Sequence, residues 1–190
     1  MPNLDLKCQC GKVAGVARDI TPNAGNRIIC YCRDCQAFAN HINPDSDILN
    51  EFGGTEILQV PPSLITIHQG VEHLACLRLS EKGLHRWYAG CCNTAVGNTV
   101  GLSMPFVGLI HTFIPPDQNL DSIAGPVLGS VYVDQATGQV PAAIRGSKSQ
   151  RAIMVRVIRK ILSWKIFGKG RPNPLFKDSG TPIVEPEVVG

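Results

Sequence analysis

Seven of the eight cysteines in this 190-residue chain fall in three short groups: Cys8-x-Cys10, Cys30-x-Cys32-x-x-Cys35 and the adjacent pair Cys91-Cys92. Thiols clustered this tightly point to metal binding or catalysis when the compartment is reducing. The segment from Met1 to Cys8 has no apolar core flanked by positive charge, so a cytoplasmic protein with reduced thiols is expected. Cys76 stands alone in Leu74-Ala-Cys-Leu-Arg-Leu79 and is expected to be a buried, inert thiol.

Zinc suits such groups because it is a borderline-soft ion that takes a tetrahedron of sulfurs at about 2.3 Å. Two cysteines one or two residues apart on a turn can grip one ion. Cys8-Gln-Cys10-Gly11 is such a turn, with Gly11 permitting close backbone approach. Cys30-Tyr-Cys32-Arg-Asp-Cys35 is the stronger signal. Three thiols in six residues are hard to explain by packing, and three ligands leave a fourth position open, as in catalytic zinc sites. Arg33, and the start of any helix following Cys35, would favour thiolates. Cys91-Cys92 closes a four-sulfur site with Cys8 and Cys10 if the chain turns there, which Gly90 and Asn93 permit. On a regular strand the two would face opposite ways, and Cys92 alone would join Cys8 and Cys10. A purely structural role for all the zinc, and disulfide chemistry at these groups, are the competing readings.

The length favours one compact domain. Charged residues make up only 17% of the chain and glycine and proline number 19 and 14, which suggests a loop-rich β fold rather than a helical bundle. Strands are predicted at 12–18, 28–31, 64–68, 74–79, 84–89, 106–114 and 130–133, each bounded by glycine, proline or cysteine. One helix is predicted, from Ser147 to Phe167. Its apolar residues Ile153, Met154, Val157, Ile158, Ile161 and Leu162 recur at helical spacing, with Arg151, Arg156, Arg159 and Lys160 largely off that stripe. Ser147 or Ser149 would cap its start, and Gly168, Gly170 and Pro172 would end it. The expected division is a zinc-binding domain over 1–142, then a basic amphipathic helix and a proline-broken, extended tail over 143–190, packed on or next to it. No run approaches the roughly 20 apolar residues that span a bilayer.

In order and spacing, Cys8-x-Cys10-Gly11-x-Val13, Cys30-x-Cys32-x-x-Cys35, and Arg86-x-Tyr88 ahead of Cys92-Asn93-Thr94 resemble the glutathione-dependent formaldehyde-activating enzyme family, which includes centromere protein V. The resemblance covers residues 6 to 114. It implies a mainly β fold, a zinc-containing β-tent of small antiparallel sheets. It also implies a structural zinc on Cys8, Cys10 and Cys92 and a more loosely bound catalytic zinc on Cys30, Cys32 and Cys35. The implied reaction joins formaldehyde and glutathione as S-hydroxymethylglutathione, a carbon–sulfur lyase activity in which the thiolate attacks the aldehyde carbon. The chain departs from the pattern at Ala89, where the family has a cysteine, and at Asn93, where it has glycine. Cys91 is the natural substitute ligand. Of His41, His68, His73, His85 and His111, none has a spacing that marks a general base, and His85, beside Arg86, is the first exception to consider.

Nine basic and no acidic residues lie between Arg145 and Arg171, so the +3 chain is a −6 body with a +9 segment attached. Three uses of that segment compete: a solvated face on a helix docked by its apolar stripe, a surface for nucleic acid or an anionic membrane, and oligomerisation. The second would make the protein a non-catalytic, zinc-stabilised binding module.

Overall fold

The computed structural model describes residues 2–45 and 47–190. Along the chain the strands are β1 (Leu4–Lys7), β2 (Ala14–Ala17), β3 (Asn26–Cys30), β4 (Thr55–Val60), β5 (Ile65–Gln69), β6 (Leu74–Arg78), β7 (His85–Ala89), β8 (Thr94–Thr99), β9 (Val107–Ile110), β10 (Ser130–Val131) and β11 (Glu187–Val188). The α-helices are α1 (Arg33–Ile42), α2 (Leu120–Ala124), α3 (Ala142–Arg145) and α4 (Gln150–Ile166). The fold is thus mainly β with a long C-terminal helix.

Two sheets form. One has the order β1-β2-β5, the other β10-β3-β4-β9-β8-β7-β6-β11. Pairing is antiparallel except at the two edges of the larger sheet, where β10 runs parallel to β3 and β11 parallel to β6. Both exceptions are two-residue strands that reach the edge after long connections, which parallel pairing requires. The larger sheet thus has eight strands, with parallel pairing at both edges.

Strand alternation gives the larger sheet two differently covered faces. Cys76, Trp87, Val96 and Leu109 point to one face, into a core shared with Leu4, Leu6, Val13 and Phe113. Leu77, Ala95 and Ile110, each one residue along, point to the other and pack against Phe38, Ala39 and Ile42 of α1. β8 is buried along its whole length, which is why its small, unalternating sequence Thr-Ala-Val-Gly-Asn-Thr gives no strand signal.

The C-terminal segment is built into this body. Leu175 and Phe176 are buried in the main core, Phe176 sits edge-on to Trp87 with ring centroids 5.9 Å apart, and β11 extends the sheet. The extended tail expected from its prolines is therefore anchored at both points.

α4 falls within the predicted span, starting three residues later at Gln150 and ending one residue earlier at Ile166. Ser149 caps its start by accepting from the Ala152 amide, and Gly168 follows with φ +63°. Its orientation differs from the prediction. Ile153 and Trp164 are buried and Val157 and Ile161 half-buried, whereas Met154, Ile158 and Leu162 of the predicted stripe are exposed. Arg156 and Lys160 instead face the protein. Arg156 donates to Asn26 Oδ1 at 2.7 Å, and Lys160 donates to the Asn23 carbonyl. The Asn26 side chain and the carbonyls of Pro22, Asn23 and Gly25 accept from these two cations and hold that side of α4 to the body. No helix among the described residues is long and apolar enough to cross a membrane.

Candidate metal centre

The first sulfur cluster sits where two hairpin turns meet. Between β1 and β2 the chain reverses with Gly11 donating to the Cys8 carbonyl at 2.9 Å and Cys8 to the Val13 carbonyl at 3.0 Å. Gly11 has φ +77°, a conformation in which a side chain is strained. Between β7 and β8, Cys92 and Asn93 both donate to the Ala89 carbonyl, and Asn93 is left-handed at φ +55°. That turn swings both Cys91 and Cys92 to the same side.

The four sulfurs then converge. Cys8–Cys10 is 3.6 Å, Cys8–Cys91 4.0 Å, Cys10–Cys91 3.3 Å and Cys91–Cys92 3.9 Å. A tetrahedral zinc with about 2.3 Å bonds sets sulfurs about 3.8 Å apart, so the donor set fits such an ion. The surroundings supply hydrogen bonds. Val13 N–H donates to Cys8 Sγ at 3.2 Å, and Thr94 Oγ1 lies 3.1 Å from Cys92 Sγ and accepts from the Gln9 amide. Burial opposes ionisation of Cys92, but contacts with the Thr94 hydroxyl and the Cys10 amide outweigh it and hold its thiol down at about 6. Ala89, where the resemblance places a ligand, is buried in the core, and Cys91 occupies the fourth corner.

The second cluster lies on the α1 face of the larger sheet. Cys30 ends β3, Cys32 is the residue preceding α1, and Cys35 lies in the first turn of that helix. Their sulfurs lie within 4.8 Å of one another, and the group has three members among the described residues. Contacts with Cys30 and Cys35 hold the Cys32 thiol down at about 2 against the effect of burial, and the Arg86 charge assists. The same contacts push Cys30 far up. For Cys35, the contact with Cys30 lowers it, but the contact with Cys32 and burial raise it to about 11. A cation bound at the three sulfurs would compete with the protons they carry.

Arg86 faces this cluster from β7. It is 1% exposed, with Nη1 3.9 Å from Cys35 Sγ and 3.3 Å from Asn98 Oδ1, and Nη2 3.3 Å from Asp34 Oδ2. Its Cζ lies over the Phe38 ring, 5.7 Å from the centroid.

The match to a family model spans residues 2–187, and that model is described as "Family of unknown function (DUF6151)". The chain belongs to the DUF6151 family. No curated protein matches it. Among solved structures, this DUF6151 chain is similar to a Rhodobacter sphaeroides protein known from a crystal structure. The two are 14% identical with a TM-score of 0.43, covering 65% of this chain and 97% of that one.

In this DUF6151 chain the three-cysteine cluster borders a cavity of about 640 Å³ between α1, α4 and the sheet. Its wall is mostly apolar, including Ile57, Met104, Phe106, Val157 and Ile161. Arg33, Asp34, Arg86 and Asn98 add polar groups. Every predicted ligand thus falls in one of two clusters that could hold a metal ion, and Cys76 falls in neither. Burial pushes the Cys76 thiol up to about 12, as expected of an inert sulfur.

One expectation changes. Arg33 is exposed, and the cation against the sulfurs is Arg86. His85 shares the face of Trp87, opposite Arg86, with its ring stacked 6.4 Å from Trp87. It does not line the cavity. Arg86 belongs to the sequence motif, but its contact with the cysteine cluster is what sequence reasoning missed. The available signal was a lone arginine inside the otherwise mostly uncharged run Leu84-His-Arg-Trp-Tyr-Ala89.

Proposed function

We propose that the chain is a zinc-dependent, carbon–sulfur lyase-like enzyme on a zinc-bearing β-tent, acting on a thiol–aldehyde adduct of the S-hydroxymethylglutathione type. The observation that carries this reading is the contrast between the two clusters. Four cysteines close on themselves at the hairpin turns, whereas three cysteines face a cavity large enough for a small ligand. The closed set would hold a structural ion contributing about 10–16 kcal/mol to folding. A zinc on Cys30, Cys32 and Cys35 would supply Lewis acidity and a place for a substrate sulfur.

The chain's own residues supply the rest. Arg86 offsets the negative charge of the thiolates. Ile57, Phe106, Val157 and Ile161 line the site with apolar surface and limit water at the sulfurs. Asp34 is the carboxylate lining the cavity, held toward Arg86 at 3.3 Å, and can take or return a proton at Oδ. In the forming direction the C–S bond is made as the carbonyl π pair moves to oxygen, and the thiol proton ends on that oxygen. The reverse direction breaks the C–S bond and returns the proton to sulfur.

The test is a turnover screen of formaldehyde with glutathione and simpler thiols, using zinc-loaded protein and its Cys32→Ser variant. Adduct formation above the buffer rate, lost in a variant that keeps its circular-dichroism spectrum, is the expected result. If no thiol is turned over, the enzymatic reading fails. A non-catalytic, zinc-stabilised module would then fit, for which Cys32→Ser loses either the fold or nothing.

A further inference from the structure

α4 carries two apolar faces. Ile153 and Trp164 anchor the inner one. On the outer one Val155, Ile158, Leu162, Ile166 and Phe167 are 57, 54, 54, 79 and 73% exposed. The first four recur three or four residues apart, so they form one continuous ridge. At 3.6 residues per turn, Arg159 and Lys165 fall about 60° to either side of Leu162. Both are exposed, as are Arg151 and Lys169 at the ends of the ridge. Between Arg145 and Arg171 there is no acidic residue.

We propose that this outer face is a docking surface for an anionic lipid bilayer, with α4 lying in the interface plane. Charge complementarity selects the occupant. A second copy of this face would oppose cations to cations with no carboxylate in the segment to pair them. A nucleic acid would meet the basic rim but leave the central apolar ridge facing its phosphates and water. An anionic bilayer satisfies both parts, with the ridge among acyl chains and the basic rim at the headgroups. The helix runs parallel to that surface because Arg156 and Lys160, bonded to the 22–26 turn, fix its inner side to the body. None of this depends on metal chemistry at either cysteine cluster.

The test is co-sedimentation of the zinc-loaded 190-residue chain with vesicles of phosphatidylcholine alone and of phosphatidylcholine with phosphatidylglycerol. The protein should sediment with the anionic vesicles, less so as salt rises, and not with the neutral ones. Ile158→Gln/Leu162→Gln should abolish sedimentation. Arg151→Gln/Arg159→Gln/Lys165→Gln should weaken it about a hundredfold, at about fivefold per charge. Should the first variant lose its helical signal, Ile166→Gln/Phe167→Gln reads the same face at the C-terminal end of the helix.

Absence of sedimentation at low salt overturns the proposal, as does equal binding to neutral vesicles. Duplex DNA or RNA binding that survives Ile158→Gln/Leu162→Gln, without vesicle binding, would reassign the face to nucleic acid. A dimer abolished by that variant, again without vesicle binding, would reassign it to a second copy.

Discussion

Arg86 Nη1 lies 3.9 Å from the sulfur of Cys35, although 51 residues separate them in the chain. Pairing of Arg86 with Asn98 in neighbouring strands fixes the guanidinium on the sheet face that α1 covers. The first turn of α1 fixes the sulfur. A guanidinium this buried needs counter-charge, and the exposed Asp34 supplies only part of it.

Arg86→Met removes the charge at similar volume and should raise the pKa of the cluster. In metal-free, reduced protein the Cys32 thiolate is present above its pKa and lost as pH falls through it. Its depressed value keeps it ionised at neutral pH. The thiolate ultraviolet absorbance should therefore be lost at a higher pH in the variant than in the parent. An unmoved midpoint would mean that Arg86 is only a packing residue.

Cys91→Ser should break the four-sulfur site. Retained zinc should fall from two to one per chain, with a lower melting temperature and a loss of several kcal/mol of stability. Elemental analysis after gel filtration reads this directly. Two retained ions in the variant would remove Cys91 from the ligand set.

His85 is buried with Nδ1 unpartnered, and burial followed by the Arg78 charge holds its pKa below 6.5. The unfolded chain then binds a proton that the folded chain refuses. Stability from this residue is complete above 6.5 and is lost as pH falls toward the folded value. His85→Phe, which keeps a ring against Trp87 and Phe176, should lower the melting temperature less between pH 7 and pH 5 than the parent does. Equal losses in both proteins would contradict the assignment.

Cys76→Ala should leave the metal content unchanged and destabilise by about 1–2 kcal/mol, as removal of one buried sulfur from a packed strand. Zinc titration with thermal melting separates the two effects. A changed stoichiometry would show that Cys76 is a ligand after all.

Much of the candidate metal centre was legible in the sequence because it is local. Cysteine spacing, Gly11 and Asn93 belong to turns, and turn chemistry acts over a few residues. The strands around β3, β5, β6 and β7 were also readable from runs bounded by breakers. β4 and β8 were missed, since strands covered on both faces lose their alternation. α1 was missed for another reason. Its ten residues begin inside the cysteine group, where the ligand pattern masks a modest apolar face of Phe38, Ala39 and Ile42. The orientation of α4 was beyond reach because both faces are apolar, and the choice was made by carbonyls at Pro22, Asn23 and Gly25, more than 100 residues earlier. Arg86 belongs to the same class. Its role exists only once the sheet and α1 meet.

Native mass spectrometry of reduced, zinc-loaded protein tests the central claim of one closed and one open thiolate site. The wild-type chain should carry two zinc ions, and Cys32→Ser should carry one while keeping its fold. A wild-type chain with one ion or none, or a Cys32→Ser chain that still carries two, would contradict the account.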